Sequence, residues 1–436
     1  MANKFWLGSA GGNHHAYTIT LANTWAAADS VSATINGKPV TVTVATGETS
    51  TNEVAGSLCA AINAANATAG LVGEETRNVG GQEYPEFREL TATCASSVVT
   101  VRHDTIGIPF VLTATEVTAG SGTATAAVSV TATGPHHADN AANWSGGALP
   151  ADGDTLVFNE GNSSCSYGLH HFRDATKKIS LLRTTDYTGS IGLPATNPGG
   201  YAEYRDRFLE MYDTTDAFKA TFETGDRMTT GGPPYLDMVG STYASLFARD
   251  VGAIVQGRPN LQIHGGTVSD MYLGNGSFLI DPDDANVTTG MTIDALNVDG
   301  TSDQSTLVTF GRNTAWANAG TAGTFRDGTV VFECAIDQGT PLLTITQLGG
   351  MLHARGDGDL GAATIKGGTF HWEADGDAAG VMNIWGDATL DLRGDGRARA
   401  FSGTLNVYQP ATVWKGGHTP TLTPLGCTLE DCKIFA

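Results

Sequence analysis

The sequence predicts a mainly β protein: a small N-terminal α+β module followed by a right-handed parallel β-helix. Three observations predict it. Glycine supplies 56 of 436 residues while charged side chains are only 16% of the chain, a composition of short strands joined by tight turns. The first third carries period-2 strand runs around one helical run. The second half repeats a short strand after a Gly turn at a spacing of about 20 residues, the signature of a solenoid.

Other classes are excluded early. With 41% hydrophobic residues, the chain can bury a large core, so wholesale disorder is not expected. The glycines have no three-residue period, which excludes collagen. No apolar run reaches the ~20 residues of a membrane span, and Met1–Gly12 has no apolar h-region of a signal peptide. A formal net charge of −21 argues against nucleic acid as a partner, since like charge removes the main term in that affinity.

The module is expected over residues 1–135. Val31, Ala33 and Ile35 alternate with polar residues, Asn36-Gly37 follows, and Val40, Val42 and Val44 alternate again. Asn-Gly between two period-2 runs predicts a hairpin, because both residues tolerate positive φ. Ser50 and Glu53 have capping-box spacing, and Val54, Leu58, Ala61, Ile62 and Ala65 then form one face of a helix that stops near Asn66 or Gly70. After a polar loop over 70–88, Leu90–Val101 reads as two strands turned at Ala95–Ser97. Pro109–Leu112 and Val128–Val130 complete the module.

Residues 136–165 are expected to form a junction and cap, with Trp144 and Phe158 covering the open end of a stacked core. The body, 166–436, carries the loose repeat. Ile263-His264-Gly265-Gly266-Thr267-Val268 matches Ile365-Lys366-Gly367-Gly368-Thr369-Phe370, with weaker copies at 327–331, 349–352, 386–390 and 402–407. Proline is sparse from 235 to 409, as stacked inner strands require. A β-sandwich array is the competing architecture.

Two stretches carry a resemblance. The order of the Ile35-Asn36-Gly37 turn, the Val40–Val44 strand, Gly47–Ser50, a helix ending Ala60-Ala61-Ile62-Asn63-Ala64-Ala65, a strand pair and Ile108–Thr113 resembles a small domain recurring in structural proteins of tailed bacteriophages. The succession Tyr167-Gly168-Leu169, Tyr187–Pro194, Gly200–Arg205 and Phe208-Leu209-Glu210 is similar to β-helical outer virion proteins of such phages. The resemblance implies a capsid decoration or tail-associated protein on the particle's outer surface. It would be made in the host cytoplasm, often as a homotrimer, with a major capsid protein or tail protein as partner. It brings no catalytic motif.

Candidate chemistry is sparse. Asp357 and Asp359 sit in a Gly-rich acidic turn that suits calcium's oxygen coordination, but Asp-Gly is also ordinary turn chemistry, and no cofactor is expected. The same carboxylates with Asp375 or Asp391 could flank a sugar bond in one groove, which is the rival reading as a tailspike-like glycan enzyme. A bacterial surface adhesin is the other rival. Three His-His pairs, 14–15, 136–137 and 170–171, read as junction polar residues. Six scattered cysteines read as reduced thiols; Cys427 and Cys432 lack a second ligand pair for zinc. Trp372, Trp385, Tyr408 and Trp414 are candidate assembly contacts or fillers of the stack. No nucleotide-binding or metalloprotease motif is present. The sequence therefore predicts a non-enzymatic structural protein.

Overall fold

The structure is a computed structural model. It describes residues 2–48, 50–66, 85–172, 179–184, 186–194, 196–211, 219–223, 235–237, 242–243, 245–252, 261–280, 292–299, 306–316, 322–334, 344–356, 359–373, 376–377, 380–393, 399–400, 402–408, 410–416, 422–424 and 433–435. The chain is a parallel β-solenoid with a small α+β region near its N-terminus.

The module holds β2 (Ala16–Ala22), β3 (Ser30–Ile35), β4 (Lys38–Thr43), α1 (Thr51–Asn66), β5 (Leu90–Ala95), β6 (Val98–His103), β7 (Leu112–Val117) and β8 (Thr123–Val130). They form two antiparallel sheets, ordered β5-β6-β2-β8 and β4-β3-β7. The β3–β4 hairpin closes where expected, with φ of 52° at Asn36 and 82° at Gly37. The capping box also forms: Glu53 N–H donates to Ser50 Oγ (3.3 Å) and Ser50 N–H to Glu53 Oε2 (3.1 Å). Val54, Leu58 and Ile62 then bury one face of α1 against Val31, Leu90 and Val99. Most of the expected 70–88 loop lies outside the described residues.

One strand departs from the expected order. β1 (Asn3–Phe5) does not join the module. It pairs in parallel with β9 (Thr155–Phe158), which pairs in turn with β10 (Ser180–Arg183). The module is therefore an insertion into the first coil of the solenoid. Its two ends are tied by an Asn13–Thr133 bridge, with Asn13 N–H donating to Thr133 O at 2.9 Å.

Beyond β10 the chain winds two parallel ladders. One continues through Ser245–Gly252, Thr292–Asp299, Thr344–Gln347, Met382–Ile384 and Leu405–Val407, with other strands between them. The second includes Leu261–His264, Leu307–Phe310, Thr329–Phe332, Met351–Ala354, Thr369–Trp372, Thr389–Asp391 and Thr412–Trp414. Strand Thr267–Ile280 serves both, its first part in one ladder and its last in the other. Period-2 alternation sets what is stacked. Inward columns hold Val330, Leu352, Phe370, Leu390 and Val413 in register, while Thr329, Met351, Thr369, Thr389 and Thr412 run up the outside. Each large apolar side chain so buried contributes roughly 1.5–3 kcal/mol.

Corner glycines fix the pitch. Gly328, Gly350, Gly368 and Gly386 all have positive φ and precede successive strands of the second ladder. A β-carbon at Gly350 would stand 2.3 Å from Gly328 O, and one at Gly368 would stand 2.1 Å from Gly350 O. Gly350 and Gly368 thus leave no room for a side chain against the corner before them. The two best-matching repeat copies, however, occupy different corners. Gly265-Gly266 leads into the first ladder, whereas Gly367-Gly368 leads into the second. The match reflects shared turn chemistry, not equivalent positions in the coil. The inward polar residue Gln347 serves one of these corners, its Nε2 donating to the carbonyls of Gly349, Gly350 and Thr369.

Gly350→Ala should lower the melting temperature well beyond Gly386→Ala, where the nearest atom to a β-carbon is 3.4 Å away. Both lose the freedom of positive φ, about 1 kcal/mol, and only the first adds a backbone clash. Equal shifts in a thermal melt would contradict the stacked-corner account.

Candidate functional site

The first coil joins three features: a sealed end, an inserted module and a polar clamp between them. The seal is an aromatic cluster. Trp6, Trp144 and Phe158 are buried, with ring centroids 5.0 Å apart for Trp6–Trp144 and 5.9 Å for both Trp6–Phe158 and Trp144–Phe158. Phe172 and Tyr187 extend it. Both indoles are satisfied, Trp6 Nε1 donating to Ser163 O and Trp144 Nε1 to Ala138 O, each at 2.8 Å. Trp144 and Phe158, the residues expected to form a cap, are both fully buried in this cluster. Trp6 was missed, because its partners come from far along the chain. Just inside the seal, Arg183 is buried with its guanidinium on the Gly189 carbonyl (3.1 Å), and burial pushes it down to about 10.

The clamp holds the module on the coil. His137 Nε2 donates to Gly107 O at 2.7 Å. Tyr201 donates its hydroxyl to Glu89 Oε2 at 2.8 Å, and Glu89 Oε2 lies 3.2 Å from His103 Nε2. Burial would raise Glu89, but the hydrogen bonds from His103 and Tyr201 and the charge of Arg205 hold it below the usual carboxylate range. Arg205 is fixed by Glu203 through Nε at 2.6 Å and Nη2 at 3.1 Å, and lies 4.6 Å over the Tyr204 ring. Pairs of this kind, largely out of water, hold geometry more firmly than exposed ones.

The three His-His pairs all lie at this end. His15 is buried and accepts a hydrogen bond from Phe110 N–H at Nδ1 (3.0 Å). Burial, with His103 and His137 nearby, pushes it down to about 4. His14 Nδ1 meets His103 O, and His136 Nδ1 meets Ser164 O. His170 lies between Asp206 (2.5 Å) and Glu210 (2.7 Å), which raise it to about 10.

The remaining candidates lie on the coils. Trp372 is fully buried in the solenoid core, so of its two readings it is a filler of the stack and not an assembly contact. It follows Phe370 at the same strand parity and must point inward with it. Trp385 is 40% exposed and stacks on half-buried Tyr408, with centroids 3.4 Å apart. Trp414 stacks on Phe435 at 4.2 Å and under Arg393 at 4.1 Å. Asp357 and Asp375 lie outside the described residues, as do Cys427 and Cys432. Asp359 accepts the Asp377 N–H at 2.7 Å, a bond between neighbouring coils. Asp391 is held by Arg393 through a two-point contact (3.0 and 2.8 Å) that keeps it ionised against its burial. Cys59, Cys165 and Cys334 are buried thiols and Cys94 is an exposed one.

Among the described residues, His353, His371 and Glu373 form one cluster of metal-ligand type, their ligand atoms within 4.8 Å of one another. The two imidazoles stack at 4.6 Å with planes 7° apart. Their in-plane lone pairs therefore run side by side and do not converge on one point. Glu373 takes His353 Nδ1 and Arg355 Nε, both at 2.9 Å. The arrangement is a ladder of stacked and hydrogen-bonded side chains across successive coils.

No protein-family model, curated protein or solved structure matches the chain. No helix among the described residues is long and apolar enough to cross a membrane.

Two outcomes follow from this geometry. Trp6→Ala should cost about 3–5 kcal/mol, the range for a buried Trp. A loss under about 1 kcal/mol in denaturant unfolding would mean that the end is not sealed by this ring. His15 is held down at about 4 against an ordinary 6.5, so its contribution to stability is full above 6.5 and is lost as pH falls towards 4. In His15→Gln, which keeps an acceptor for Phe110 N–H, the loss of melting temperature across that window should shrink. An unchanged pH slope would exclude His15 as its source.

Proposed function

We propose that the chain is a non-enzymatic structural protein of a tailed-phage virion, carried on the outer surface as a capsid decoration that binds the lattice multivalently. The observation that carries this reading is the inserted module. It is clamped to the sealed end of a rod and offers an open sheet edge. Among the described residues β8 pairs only with β2, and its residues Ala127–Val130 are all exposed, Val128 by 49%. Val117, at the end of the other edge strand β7, is 75% exposed. Unpaired edges of this kind, with no lysine to blunt them, are sites for pairing with another chain.

The module would dock on the major capsid protein, or on a tail protein if the chain is a tail appendage. The long coils would give a homotrimer its side-by-side surface, with Trp385, Tyr408 and Trp414 as contacts. Several weak dockings through one trimer give avidity beyond any single contact. The strongly acidic chain would be kept off packaged DNA, consistent with an outer position. Asp359 and Asp391 both have other partners, which weighs against a glycan-cleaving pair. The reading needs no cofactor, and a chelator should leave the melting temperature unchanged.

Replacing residues 14–132 with a short Gly-Ser link tests it and spares Trp6. The shortened chain should keep its trimer in analytical ultracentrifugation but lose co-sedimentation with particles. In virions, the copy number should match the capsid lattice. A handful of copies per particle would place it on the tail, and none would overturn the reading. Loss of the trimer with retained particle binding would assign docking to the coils.

A further inference from the structure

The module brings two cysteines together from distant parts of its sequence. α1 packs more closely on β5 than on any other strand. Asn63 fixes the register between them: its Nδ2 donates to Ala92 O at 2.8 Å, and Ala92 N–H donates to its Oδ1 at 2.9 Å. Cys59 lies one helical turn before Asn63, on the same face of α1. Cys94 lies two residues beyond Ala92, at the same strand parity. One helical turn rises about 5.4 Å, and two strand residues span about 6.6 Å. A helix and strand running in opposite directions, pinned at Asn63 and Ala92, therefore set Cys59 opposite Cys94. The two thiols are hydrogen-bond neighbours. Asn63 Nδ2 also reaches Cys59 Sγ at 3.8 Å, so one amide holds both the strand and the sulfur.

The pair is asymmetric. Cys94 is exposed, whereas Cys59 is 7% exposed within the module core. Burial, with the Cys94 thiol beside it, pushes Cys59 up to about 11. An outside reagent can reach Cys94 directly and Cys59 only through Cys94. An accessible thiol beside a second, sheltered one is the arrangement of an attacking and a resolving cysteine. Cys165 and Cys334 belong instead to the solenoid core, buried and away from this pair.

We propose that Cys59 and Cys94 are a redox site that closes to a disulfide by exchange with a small organic disulfide, stapling α1 to β5. The Cys94 thiolate attacks one sulfur of the small disulfide, whose S–S bond breaks and releases one thiolate. The Cys59 thiolate then attacks Cys94 Sγ in the mixed disulfide and expels the second. The two cysteines lose two electrons, the small disulfide gains them, and the two cysteine protons pass through solvent to the two leaving thiolates. The proposal is independent of the virion reading, since it concerns the chain alone.

The test exposes the folded, full-length chain to oxidised glutathione, traps remaining thiols with an alkylating agent and maps the peptides by mass spectrometry. The wild type should yield one peptide pair joined through Cys59 and Cys94, lighter by two hydrogens than the reduced pair. Mapping separates this bond from any made by Cys427 and Cys432. Cys59→Ser should stop at a glutathione adduct on Cys94. Cys94→Ser should slow modification of Cys59 by roughly tenfold or more, because the buried thiol loses its relay. The wild-type map needs no substitution and stands even if a variant misfolds. A wild-type Cys94 adduct that persists without closing, a bond from Cys94 to any other cysteine or to a second chain, or undiminished modification of Cys59 in Cys94→Ser would each overturn the proposal.

Discussion

A parallel solenoid ends in exposed strand edges and an open core, and covering one such end organises the first two hundred residues of this protein. The end is closed by backbone and side chain together. β1 lies along β9 as an outermost strand, with Trp6 N–H donating to Val157 O and Leu7 N–H to Asn143 O. Trp6, Trp144 and Phe158 then fill the space that a further coil would have filled. Edge-to-face aromatic pairs add about 0.5–1.5 kcal/mol each beyond the area they bury. Closing the end this way requires the chain to leave the coil after β1 and return before β9, and the α+β module occupies that excursion.

Away from the cap, the same constraint acts coil by coil. Parallel strands leave outward side chains in columns, so the surface chemistry is one of ladders. Phe247 stacks on Tyr272 at 4.8 Å, Asn406 donates to Asn383 at 2.9 Å, and His353 stacks on His371. The Arg355 contacts with Glu333 and Glu373 tie three coils together. These columns explain why His353, His371 and Glu373 gather side by side without converging on one point. Their spacing is set by the strand separation of about 4.8 Å, which suits stacking and charge pairing better than convergence on one atom.

Local signals in the sequence were legible wherever the physics is local. The Asn36-Gly37 turn and the Ser50–Glu53 box need only neighbouring residues, and both form. The solenoid was legible from the Gly-turn spacing. What failed depends on pairing across the chain. Trp6 has no local reason to be buried, since β9 supplies its partner. The Gly265-Gly266 and Gly367-Gly368 copies look equivalent because positive φ is a property of a corner, whichever ladder it feeds. Trp372 could have been assigned inward from its parity with Phe370. The clamp had no sequence signal, because Glu89 meets Tyr201, and His137 meets Gly107, only after the module folds back onto the coil.

The central claim is that residues 3–7 are a structural part of the solenoid and seal its end. Native-state hydrogen exchange at single-residue resolution tests it most directly. The amides of Trp6 and Leu7, hydrogen-bonded to Val157 O and Asn143 O, should be protected to within about tenfold of the β9 and β10 amides, because they open only with the end of the stack. Exchange at the rate of an unstructured chain terminus would show that the end is open, and would contradict the account of both the cap and the inserted module.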